Sequence, residues 1–131
     1  MRRTFVFLVA GALLTAVPVV AHHSFSAEFD ADKPINLTGS VTKIDWMNPH
    51  VWFYLDIKEK TGEVVNWGME MGSPNGLMRN GWTRNSMKIG DIVAVEGSRA
   101  KDGSNHGNAR AVVLTSSGKR LFAASSQGPT P

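Results

Sequence analysis

His22 and His23 follow directly on Val19-Val20-Ala21. A peptide bond cut after Ala21 would set a free α-amine beside two imidazoles. Amine and ring nitrogen of an N-terminal histidine form one chelate, and nitrogen-rich sites suit Cu(II), which leads the divalent affinity order ahead of Zn(II). The other two histidines are His50, which follows Asn48-Pro49, and His106, in the polar run Lys101 to Gly107. The expected copper ligands are His22 and His50, helped by His23 or His106. Met69 and Met71 stand two apart and offer thioethers to Cu(I), although the same spacing on a strand serves core packing.

The chain has no cysteine. That excludes disulfides, thiolate zinc sites and cysteine nucleophiles together. Trp46, Trp52, Tyr54, Trp67 and Trp82 supply flat surface for a sugar, peptide or other small ligand, or cover the ends of a core; of these, Trp52 and Tyr54 are the expected ligand-facing pair. Asp45, Asp56 and Glu70 are the carboxylates available for acid–base work, but their separations are not readable from sequence. Ser24, Ser73, Ser86 and Ser98 lack a nucleophile-elbow context, and no glycine-rich run has phosphate-cradling spacing. Asn36-Leu37-Thr38 matches a glycosylation acceptor by accident of composition. No catalytic residue is assigned.

The first 21 residues carry the marks of an export leader. Arg2 and Arg3 form its basic end, Phe5 to Leu14 its apolar segment, and Val19 and Ala21 occupy the −3 and −1 positions of a cleavage site. The apolar stretch is too short, and too interrupted by Gly11 and Pro18, for a membrane span. Periplasmic or secreted location is therefore expected. The full chain has 14 Lys plus Arg and 11 Asp plus Glu, and loss of Arg2 and Arg3 leaves 12 against 11. A charge near +1 gives no electrostatic case for nucleic acid or an anionic lipid surface. The expected partner is an envelope protein or a small ligand.

Elements must bring these residues together. Residues 22–34 read as an extended arm with Phe25 and Phe29 at period two. The thirteen residues from His22 to Pro34 span about 40 Å when extended, enough for the arm to fold back toward His50. Ile35 to Trp46 reads as a long strand bent or bulged near Gly39. In His50 to Ile57, Val51, Phe53, Leu55 and Ile57 share one face, with His50, Trp52, Tyr54 and Asp56 on the other. Val64 to Met71 is a third strand. Ser73 and Pro74 start a short helix, from which Leu77, Met78 and Trp82 cover a core end. Strands then follow over Ile92 to Arg99, Asn108 to Thr115 and Lys119 to Phe122, and a disordered tail runs over 123–131. Strand, strand, strand, helix, strand, strand is the order of an OB-fold, so the expectation for 35–122 is an all-β, OB-like Greek-key barrel of five to six strands.

Ala21-His22-His23-Ser24-Phe25, Trp46-Met47-Asn48-Pro49-His50-Val51-Trp52, Asn66-Trp67-Gly68, Gly72-Ser73-Pro74-Asn75-Gly76-Leu77, Gly81-Trp82 and Gly97-Ser98-Arg99 resemble a family of small exported bacterial proteins of unknown function. The resemblance spans nearly the whole chain after the leader. It implies export and an OB-like domain, and it carries no activity across. The His22 terminus by itself resembles the histidine brace of copper oxygenases. Three function classes follow: a copper-binding protein without turnover, a metal-free module holding an envelope protein, peptide or glycan, and a small copper-dependent oxidoreductase.

Overall fold

Alternation in the second strand sets the inside and the outside of the molecule. In the computed structural model, which describes residues 25–123, Val51, Phe53 and Leu55 are wholly buried while Trp52 and Tyr54 stay half-exposed. The chain forms α1 (Phe25–Glu28), β1 (Phe29–Asp45), β2 (Trp52–Lys58), β3 (Val64–Glu70), α2 (Pro74–Arg79), β4 (Ile92–Ala100), β5 (His106–Leu114) and β6 (Lys119–Phe122). The sheet order is β3-β2-β1-β4-β5-β6. A parallel pairing of β3 with β5 turns it into a closed ring of strands in the OB-like order.

β1 is long because it serves two neighbours. It pairs with β4 up to Ser40 and with β2 from Ser40 to Asp45. The irregularities lie between Asp30 and Pro34 and between Val41 and Lys43, on either side of Gly39, whose backbone is pressed against that of Asp56. The segment expected as an arm is only partly one. Residues 25–28 make a single helical turn, and Phe29 is already in the strand and buried, with the Phe25 ring tilted against it at 5.7 Å between centroids.

The core holds Phe53, Leu55, Trp67, Met69, Met71, Leu77 and Trp82. Both methionines are 0% exposed, so they pack rather than present thioethers to solvent. The Ser73 hydroxyl accepts a hydrogen bond from the Gly76 amide at 3.1 Å, and Pro74 opens α2. Leu77 is buried in the core, whereas Met78, expected to help cover it, is 50% exposed. Trp82 Nε1 donates to the Phe122 carbonyl at 2.9 Å, which ties the end of the α2 segment to β6. Ala123, expected to begin a disordered tail, is buried and exchanges backbone bonds with Arg110 and Gly72. The rest of that tail and the whole proposed leader lie outside the described residues. No helix among the described residues is long and apolar enough to cross a membrane.

Candidate functional site

Register, not sequence proximity, assembles the site. Lys43 pairs with Tyr54, Tyr54 with Gly68, and Gly68 with His106, so these four stand in one row across β1, β2, β3 and β5. The next row is Asp45, Trp52, Glu70 and Asn108. Successive residues of a strand point to opposite faces, so with Val51, Phe53 and Leu55 inside, Lys43, Tyr54 and His106 of the first row and Asp45, Trp52 and Glu70 of the second lie outward, while Asn108, at the β5 end of the second row, is 3% exposed. Gly68 has no side chain to place there: a Cβ would come within 2.8 Å of His106 Cδ2 and 3.1 Å of Tyr54 Cε1. The His106 ring fills that space and meets the Trp52 ring edge-on at 6.2 Å.

Two side chains, Ser104 and Asp102, fix the tautomer of His106. The Ser104 hydroxyl donates its only proton to Asp102 Oδ1 at 2.6 Å. Its oxygen therefore accepts from His106 Nδ1, 3.1 Å away. In the neutral ring the proton is thus on Nδ1, and Nε2 keeps its lone pair. The hydroxyl and amide of Ser104, both donating to Asp102, hold that carboxyl below the usual aspartate range. Asp102 accordingly stays charged and the chain of bonds keeps its direction.

His106, Ser104 and Trp52 line an open cleft of about 490 Å³ whose other wall is Ala27, Glu28 and Phe29. The Lys101 amide donates to the Glu28 carbonyl at 2.8 Å, which pins the α1 end beside the loop between β4 and β5. That loop is shorter than expected. His106 belongs to β5, because the Gly68 amide bonds to the Asn105 carbonyl and draws the segment into the ring.

His50 sits elsewhere. Its Nδ1 donates to the Met71 carbonyl at 3.0 Å, with a Glu70 oxygen 3.8 Å away. His106 is level with Tyr54, four residues along β2 from His50. That is about 13 Å along the strand direction. The two histidines therefore sit at different levels of the strand direction, and their Nδ1 atoms are bonded to different partners, Met71 and Ser104. No group of three or more His, Asp or Glu among the described residues is arranged to hold a metal. His22 and His23 lie outside the described residues.

The expected pair Trp52 and Tyr54 does lie outward, with ring centroids 6.5 Å apart and planes 23° from parallel. Lys43 Nζ stands 5.2 Å from the Tyr54 centroid. Trp67 and Trp82 went to the core, and Trp46 packs against it. Sequence reasoning passed over Asp102, Ser104 and Gly68. The period of two in Asp102, Ser104 and His106 was the available signal.

No curated protein matches the chain. The profile of a family of unknown function (DUF6152) matches residues 11–110, and the chain belongs to that family.

Proposed function

We propose that this is an exported small binding protein, without turnover, whose ligand is a copper ion held by His106 together with the α-amine and imidazole of His22 and the ring of His23. The observation that carries the reading is the state of His106. Its Nδ1 proton is committed to Ser104, backed by the Asp102 carboxylate, and Nε2 is left as a ligand atom. Metal-binding histidines are held in this way, with the second nitrogen donating to a carboxylate, carbonyl or water. Chain length supports the choice of partner. Ala27 forms a wall of the cleft, and His23 precedes it by four residues, at most about 13 Å of chain. Export and cleavage after Ala21 supply the free amine. His50, bound to the Met71 carbonyl, is left out of the ligand set.

Calorimetric titration of Cu(II) tests this on protein that begins at His22. Adding one residue before His22, or making His106→Gln, is expected to weaken binding by about tenfold or more, while His50→Gln leaves it unchanged. Equal affinity of His106→Gln and the parent would sink the reading. Peroxide production on adding a reductant would reassign the same nitrogens to oxidase chemistry.

A further inference from the structure

The outer face of β1, β2 and β3 carries a second feature, which shares Trp52 with the wall of the copper cleft but none of the proposed ligand atoms. We infer that this face binds an oligosaccharide, an uncharged hydroxyl-rich chain laid across Trp52 and Tyr54.

The aromatic strip is the first support. Trp52 and Tyr54 are nearly parallel and only half-buried, although the other face of the same strand is fully committed to the core. A pyranose presents a C–H face that is apolar and positively polarised, which suits the negative face of an aromatic ring.

The rim is the second. Lys43 and Asp45 flank the strip on the β1 side, and the Asp56 carboxylate, bonded to Asn66 Nδ2 at 2.8 Å, stands at its end. Ammonium, amide and carboxylate together donate and accept, as sugar hydroxyls do.

Charge disfavours a nucleic acid on this face, and topology rules out a peptide added to β2 as an extra strand. Asp45, Asp56 and Glu70 outnumber Lys43 and Lys58, and the Lys43 ammonium is already 3.1 Å from Asp45. A phosphate backbone needs cations along its track and would be repelled. A peptide adding as an extra strand needs a free edge, but β2 is paired on both sides, with β1 and with β3.

The test is a titration of ¹⁵N-labelled protein with cellohexaose, chitohexaose and laminarihexaose, with EDTA present so that copper plays no part. At least one sugar is expected to shift the amides of residues 52–56 and 66–68. Trp52→Ala and Tyr54→Ala are each expected to weaken that binding roughly tenfold, with spectral dispersion showing that the variants fold. The shift map on the unaltered protein locates the site even if a variant does not fold. No response to any of the three at millimolar concentration, shifts confined to other strands, or tighter binding to hexathymidylate would each overturn the inference. None of these outcomes bears on the copper titration.

Discussion

His106 shows how much of a residue's chemistry is set by its neighbours. Its type and position were plain in the sequence, but which nitrogen carries the proton depends on Ser104, and the direction of the Ser104 proton depends on Asp102. Gly68 makes the arrangement possible by leaving room for the ring. Gly68→Ala would bring a Cβ to 2.8 Å from His106 Cδ2 and 3.1 Å from Tyr54 Cε1, so the imidazole must swing away. The expected outcome is a loss of Cu(II) affinity of about tenfold with a melting temperature close to the parent's, read by calorimetry and by scanning fluorimetry. A steep fall in melting temperature with unchanged affinity would show that Gly68 serves the fold alone. His50 was equally visible in the sequence, but its bond to the Met71 carbonyl was not.

Elements with a strong local signal formed where the pattern placed them. Alternation gave β2 its two faces, and Ser73-Pro74 capped and opened α2. The misjudged boundaries are those set by partners distant in the chain. β1 starts at Phe29 because Ala100 pairs with it, and β5 starts at His106 because Gly68 does. Charge also acts between elements. Arg120 on β6 donates two hydrogen bonds, at 2.8 and 2.9 Å, to Glu96 on β4, and Arg110 on β5 approaches the same carboxylate at 3.6 Å. The Arg120 bonds hold the Glu96 carboxyl below the usual glutamate range. A carboxyl lowered on folding contributes stability above its unfolded pKa and loses it as pH falls through the folded value. Arg120→Ala is therefore expected to lower the urea midpoint slightly at pH 7. The gap to the parent should close on acidification below the glutamate range and shrink at high salt. A gap independent of both would show that Arg120 acts by packing.

The whole molecule is held shut at two places. One is the three-residue parallel contact of β3 with β5, and the other is Trp82, 2% exposed, reaching the Phe122 carbonyl on β6. Trp82→Phe would leave that carbonyl without its donor and a void beside it. The expected cost is about 1–3 kcal/mol, measured by urea unfolding, with faster hydrogen exchange in β6; unchanged stability would show that β6 is held by strand pairing alone. The sequence by itself determined the all-β class, the strand order, the faces of β2, the helix cap and the absence of any cysteine chemistry. These follow from local periodicity and from residue types, which need no knowledge of distant partners. Only the tertiary structure decided that Met69 and Met71 are core, that His50 and His106 stand apart, and that the α1 segment and His106 share a cleft. The first depends on which face of β3 the closed ring encloses, and the others on pairings such as β3 with β5 and Lys101 with Glu28, between segments far apart in the chain.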